Sequence, residues 1–324
     1  MNLFATFDEA LIRSQADEFL SKMGISGKPF INCLHTAADH GRNQMVFTLA
    51  LEGGLNFAMK SDFVPGQQWI EKEFNLLKDL EAHFSRDEKF GVIAPVYLGR
   101  DRSFHVTAFT DGPTASDVLH SPKTPQQARQ VFRRAGGWLD RLHRFTTPEP
   151  QNIWTNWIFD EIQNLQVSGD PRAEETIYRP YLSALRQDAE QFQEHPCERV
   201  FSHADFHGRN LILANGKTVG LDLAYAHEKP ALYDVVDFLM EDLRLPGAAH
   251  QIGPGGIRTE SWDYFFKLYR HPIPAPLMNF HLRAALLIRL LKITKTNYAN
   301  SAYKKAQFHT ILHRMECAFS LPLG

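Results

Sequence analysis

Residues 203–213 read HADFHGRNLIL, and GLDLA follows at 220–224. The first stretch sets His203, Asp205, His207, Arg209 and Asn210 against three aliphatic residues. The second places one carboxylate, Asp222, in an apolar run 17 positions after Asp205. Charge brought to the edge of a core must be paired or coordinated, so a fold that uses both segments has to build a polar site around them. The flanking pieces ERVFSH, NLILA and KTVGLDLA read as short strands, and Asn215-Gly216 turns the last two into a hairpin. Such a turn lets groups remote in sequence address one point.

Three chemistries suit the cluster. In the plainest, His203 and Asp205 fix a loop and Asp222 caps an element. In the second, His203, Asp205, His207 and Asp222 hold a hydrolytic metal ion, although their spacing matches no common zinc pattern. The third is phosphoryl transfer, in which one carboxylate orients or deprotonates a hydroxyl while an amide and a second carboxylate hold magnesium. Asp205 is then the base or orienter, and Asn210 and Asp222 bind the ion.

HADFHGRNLIL and GLDLA together resemble the catalytic and metal-binding segments of the aminoglycoside phosphotransferase and choline kinase group of the protein-kinase-like superfamily. The group's pattern begins His-Gly-Asp, where this chain has Ala204. The resemblance implies that His203 supports the catalytic loop, Asp205 performs the catalytic role, and Asn210 and Asp222 ligate Mg2+. AGGWLDRLHRF (135–145) resembles the group's helix ending in Leu-His-Arg, with His143 as a packing or hydrogen-bonding residue. ALYDVVDFL (231–239) resembles the segment after the metal aspartate, with Asp234 bracing the catalytic region or capping a helix. Most of residues 40–240 share in the resemblance. It implies an α+β, two-lobed protein-kinase-like fold with a small antiparallel-sheet N-lobe and a mainly helical C-lobe.

A nucleotide site is then expected upstream. NQMVFTLAL and LNFAMKSDF read as strands joined at Gly53-Gly54, with Met45, Phe47 and Leu49 on one face. Residues 68–84 switch to helical spacing, with Trp69, Phe74, Leu76, Leu77 and Leu80 as the apolar stripe. Lys60 ends its strand where a cation can meet phosphates, and Glu73, 13 residues on, can hold it in an ion pair in preference to Glu71. HTAADHGRNQMVF resembles the group's phosphate-covering turn, with Gly41 giving backbone freedom and Arg42 and Asn43 offering polar contacts. It contains neither GxGxxG nor GxxxxGK. The donor implied is ATP, or GTP in its place. Val106 to Phe109 form the strand and hinge beside an adenine slot.

Strand signals give way to helices near 110–116, which divides the chain into an N-terminal lobe, 1–112, with a leading helix closed by Gly24, and a helical lobe, 113–324. Thr124-Pro125 opens a helix that persists toward Phe145, and further helices follow Trp154 and Glu174. Trp154, Trp157, Asp160 and Glu241 are candidates for recognising the acceptor, since aromatic faces and acids suit a cationic amine or a sugar. Only 12 positions separate Asp222 from Asp234, too few for a long activation segment, so the acceptor expected is a small molecule.

A net charge of -2 argues against nucleic acid or acidic membranes as partners. Cys33, Cys197 and Cys317 form neither a CxxC pair nor a disulfide framework. AALLIRLLKI is interrupted by Arg289 and too short to span a bilayer, so no membrane insertion and a cytoplasmic location are expected. The sequence accommodates either a monomer or a homodimer. Two other functions stay open at this point: a catalytically inactive nucleotide-binding interaction module, and a metal-dependent hydrolase.

Overall fold

The computed structural model describes residues 8–37, 43–64, 66 and 68–324. They form two compact units. One holds the described residues through Gly112 together with Ala214–Ala224, and the other holds Pro113–Leu213 and Tyr225–Gly324. The run carrying Asp222 therefore belongs to the first unit.

In the first unit, Asp8 opens helix α1 (Glu9–Met23) by accepting the N–H groups of Ala10 and Leu11. Ile12, Ala16, Phe19 and Leu20 recur at helical spacing and are all buried. They pack with an antiparallel sheet of β1 (Phe30–Ala37), β2 (Gln44–Ala50) and β3 (Asn56–Asp62). Met45, Phe47 and Leu49 do share its buried face, and Phe47 stands opposite Met59. Gly53 and Gly54, with φ of 88° and 84°, make the turn between β2 and β3, a conformation that residues with a Cβ adopt only at a cost.

Helix α2 (Trp69–Phe84) buries Ile70, Glu73, Leu77, Leu80 and Phe84. That face differs from the apolar stripe expected from sequence: Trp69, Phe74 and Leu76 are only partly buried. The inward stripe contains a glutamate, so a count of apolar residues rotates the predicted face. Strands β4 (Phe90–Val92), β5 (Pro95–Leu98) and β6 (Phe104–Ala108) follow, and the five-stranded sheet has the order β1-β2-β3-β6-β5. Thr218–Gly220 pairs in parallel with β4. The extended run ends there, because Asp222 in GLDLA has a φ of 57°.

The second unit is mainly helical. After α3 (Ala115–His120), Thr124 caps α4 (Pro125–His143), whose buried stripe runs from Ala128 through Val131, Phe132, Ala135, Trp138 and Leu139 to Leu142. Strand β7 (Glu149–Asn152), helices α5 (Asn156–Ser168) and α6 (Glu175–Ala189), and strand β8 (Pro196–Ser202) come next. After β9 (Leu211–Leu213) the chain crosses β10 (Thr218–Gly220) of the first unit and returns in β11 (His227–Pro230). β7 and β11 flank β8 in an antiparallel sheet. Sequence patterning missed β1, β7 and β11; EPQN and HEKP carry no apolar alternation and are strands because β8 supplies their partners. Helices α7 (Leu232–Leu239), α8 (Thr259–Phe266), α9 (Ala275–Leu291), α10 (Lys295–Asn300) and α11 (Ala302–Phe319) complete the unit. α9 is buried on nearly every side, and each enclosed Leu, Ile or Phe contributes about 1.5–3 kcal/mol. Among the described residues, no helix is long and apolar enough to cross a membrane.

Candidate active site

Alternation along β3 sends Met59 into the apolar core beneath α1 and Lys60 to the opposite face of the sheet. There Lys60 Nζ lies 2.8 Å from Glu73 Oε2 and 2.9 Å from Asp222 Oδ1. Three segments remote in sequence thus converge on one ammonium. Glu71 points elsewhere and pairs with Arg102. Burial pushes the Glu73 carboxyl up, but Lys60 and then His105 outweigh it and bring the pKa down to about 2. Burial likewise depresses Lys60, and the two carboxylates together hold it above the ordinary lysine range. Asp222 keeps 42% of its side chain exposed, and its positive φ lies in the left-handed region that Asp and Asn tolerate better than most residues.

In the second unit β8 delivers the chain to His203, and the buried Asp234 near the start of α7 anchors the loop that begins there. Its Oδ2 accepts the His203 N–H at 2.7 Å, and its Oδ1 accepts the Ala204 N–H at 2.9 Å. His143, at the end of α4, lies with Nε2 3.0 Å from Asp234 Oδ2 and Nδ1 2.9 Å from the Tyr269 hydroxyl. A carboxylate only accepts, so Nε2 carries the proton and Nδ1 receives the Tyr269 O–H. Burial lowers the His143 pKa against the pull of Asp234. Burial raises Asp234, but the hydrogen bond and charge of His143 leave it lowered.

The His203 ring is enclosed, 6.0 Å from the Trp138 ring and 5.7 Å from Phe206, which itself stacks on Trp138. The His203 ring is thus packed inside, while its backbone N–H is tied to Asp234. Ala204 has a φ of 66°, a conformation that costs an alanine about 1 kcal/mol. Asp205 follows with 46% of its side chain exposed.

A single 3-10 turn, Gly208–Asn210, then brings Asn210 back toward Asp205. His207 caps it by accepting the Arg209 N–H at Nδ1, which leaves Nε2 protonated, 3.5 Å from Asp205 Oδ2. Burial pushes His207 down, but its bond to Asp205 and that carboxylate's charge raise it overall. Asn210 Nδ2 donates to the Asp205 carbonyl at 3.0 Å, which turns its own side-chain oxygen away from that contact. Gly208 is packed so closely that a Cβ would come within 2.8 Å of the Ser116 backbone nitrogen and 3.0 Å of Glu241 Oε2.

Residues 62–264 match the phosphotransferase enzyme family, and this span contains Glu73, Asp205, Asn210, Asp222 and Asp234. The chain belongs to that family. The phosphotransferase also shares its fold with solved structures of low sequence identity. One is the amicoumacin kinase hAmiN in complex with AMP-PNP, Ca2+ and Ami, at 17% identity and a TM-score of 0.55 over 98% of this chain and 95% of that one. Another is the spectinomycin phosphotransferase APH(9)-Ia in complex with ADP and spectinomycin, at 12% identity and 0.55 over 94% and 97%. A third is a choline/ethanolamine kinase family protein from Mesorhizobium loti, at 12% identity and 0.53 over 96% and 99%. No curated protein sequence matches.

The remaining candidates of the phosphotransferase fall in different settings. Phe109 is partly exposed, and its N–H is taken by the Asn56 carbonyl, so this donor is committed within the sheet. The Asn43 carbonyl accepts the Phe63 N–H, and Arg42 lies outside the described residues. Trp154 and Asp160 are exposed, and Trp157 donates from its ring to the Tyr233 hydroxyl at 3.2 Å. Glu241 is buried, and its Oε2 accepts from Ser116 at 3.0 Å and from Arg244 at 2.6 Å. Four consecutive residues, MEDL, gave no sign of which way that acid would turn. Two residues stand out that the motifs did not select as site residues, His105 beside Glu73 and Asp237 one turn beyond Asp234, while His207, weighed in sequence only as a metal ligand, lies beside Asp205. Among the described residues, no three His, Cys, Asp or Glu side chains converge as metal ligands.

Proposed function

We propose that the enzyme transfers the γ-phosphoryl group of ATP to a hydroxyl of a small molecule, an amino alcohol, sugar or aminoglycoside-like compound. The observation that carries this reading is the convergence of Lys60, Glu73 and Asp222 on one exposed-edged ion-pair cluster, which supplies a fixed cation for a polyphosphate. Adenine nucleotides in the related solved structures support the choice of donor. Such chemistry belongs in the cytoplasm, where that donor is available.

Asp205 orients the acceptor hydroxyl and takes its proton. The acceptor oxygen forms a bond to the γ-phosphorus as the bond between that phosphorus and the β–γ bridging oxygen breaks, and the electron pair leaves with ADP. Asn210 would offer Mg2+ an amide oxygen and Asp222 a carboxylate, each a hard-oxygen ligand of the kind that ion prefers. When bound, Mg2+ would neutralise charge on the phosphate oxygens. Lys60, steadied by Glu73, meets the phosphates. His203, Asp234 and His143 hold the loop in place, and Trp154, Trp157 and Asp160 offer aromatic and acidic surface to the acceptor.

The test is a mass-detected screen of ATP and GTP against pooled amino alcohols, sugars and antibiotics, repeated with Asp205→Asn. The variant should lose transfer by about 10³-fold while still binding AMP-PNP. Undiminished transfer by folded Asp205→Asn would remove Asp205 from its role, and absence of any phosphorylated product across the pools would count against a small-molecule acceptor of these classes.

A further inference from the structure

β3 and β6 place Lys60 and His105 directly opposite one another, so both side chains leave the same face of the sheet. Both reach the same carboxylate: Lys60 Nζ is 2.8 Å and His105 Nε2 3.5 Å from Glu73 Oε2. His105 is buried, its ring lies against Phe74 at 6.1 Å, and neither ring nitrogen meets hydrogen-bond geometry with a described residue, which leaves the 3.5 Å approach to Glu73 as an ion-pair contact. A buried imidazole without hydrogen-bond partners is costly, and this one faces one of the two carboxylates that pair with Lys60. Lys60 meanwhile divides its ammonium between Glu73 and Asp222.

We infer that His105 is a positioning residue of the nucleotide site, its Nε2–H holding Glu73 so that Lys60 can turn toward the triphosphate. This rests on the reading of Lys60 as the phosphate-binding cation. A phosphate that draws on the Lys60 charge weakens what Glu73 receives from it. A carboxylate enclosed in the fold cannot turn to water for compensation, so a second donor is what keeps it in register on α2. The depressed Glu73 pKa, to which His105 contributes after Lys60, agrees with that arrangement.

The test is calorimetric titration of the full chain with Mg-AMP-PNP, which requires no knowledge of the acceptor. His105→Leu should weaken binding about tenfold, and His105→Gln, which keeps an N–H, should recover most of the loss. In a Glu73→Gln background, where the charge to be held is gone, His105→Leu should add little. His105→Phe refills the ring volume and replaces His105→Leu if the latter melts too early to titrate. Lys60→Met fixes the reference. If it weakens binding while the His105 variants do not, or if the His105 and Glu73 effects simply multiply, the inference fails and the Lys60 reading stands. If Lys60→Met binds like the parent protein, both fall together.

Discussion

The Asp234 carboxylate holds Ala204 in a left-handed turn: its Oδ1 accepts the Ala204 N–H at 2.9 Å while φ at that residue is 66°. The next residue is Asp205, so strain and anchor act one residue away from the group assigned to the acceptor hydroxyl. The substitution Ala204→Gly relieves the Cβ clash at unchanged hydrogen bonding. Stability should rise by about 1 kcal/mol, read as a higher urea midpoint with an unchanged slope. A lower midpoint would mean that the turn is not strained.

Gly208 faces the opposite constraint. A Cβ there would meet the Ser116 backbone nitrogen at 2.8 Å, and backbone does not yield as a flexible side chain would. Gly208→Ala should cost about 1–3 kcal/mol and displace the turn that carries Asn210. The expected signature is a raised magnesium requirement for AMP-PNP binding together with a lower melting temperature. A variant as stable as the parent would show that the turn can shift without cost.

Acid should act through Glu73. Its folded pKa, about 2, lies below the ordinary 4.5, so between these values the unfolded chain binds the extra proton. Stability contributed by this group is present above about pH 4.5 and is lost as pH falls toward 2. Glu73→Gln should flatten the rise of unfolding free energy with pH across that window, as measured by urea titrations. An unaltered slope would show that the carboxylate is not held as the geometry indicates.

Asp237 runs the other way. Burial, followed by the charge of Asp234, pushes its carboxyl up to about 7. The folded protein keeps a proton there that the unfolded chain releases near 3.8, so this group's contribution declines as pH rises from 3.8 toward 7. Asp237→Asn should therefore be more stabilising at pH about 8 than at pH about 5, with urea midpoints as the readout. Equal effects at both pH values would indicate an ordinary, solvated carboxylate.

Much of this architecture is legible in the sequence. The β2–β3 turn declares itself through Gly53-Gly54, α4 through Thr124-Pro125, and the polar segments through a density of functional groups that a plain core would not carry. The elements that escape are decided by partners. β7 and β11 contain no alternation and become strands by pairing with β8. The face of α2 is set by Glu73 pointing inward, and no periodic count of apolar residues anticipates a buried acid. Glu241 turns inward because Ser116 and Arg244 wait for it, 125 and 3 residues away. His105 sits in a strand whose pattern says only that it is extended, while its meaning comes from the register that sets it across from Lys60.

The torsion at Asp222 narrows the options for that position in a way that charge alone does not. Most side chains would resist a φ of 57°, and of the two polar residues at ease there, only one is an anion. Asparagine would keep the bend and forfeit the electrostatics; glutamate would keep the electrostatics and oppose the bend. Shape and ionisation therefore screen this position independently, and aspartate is the common solution.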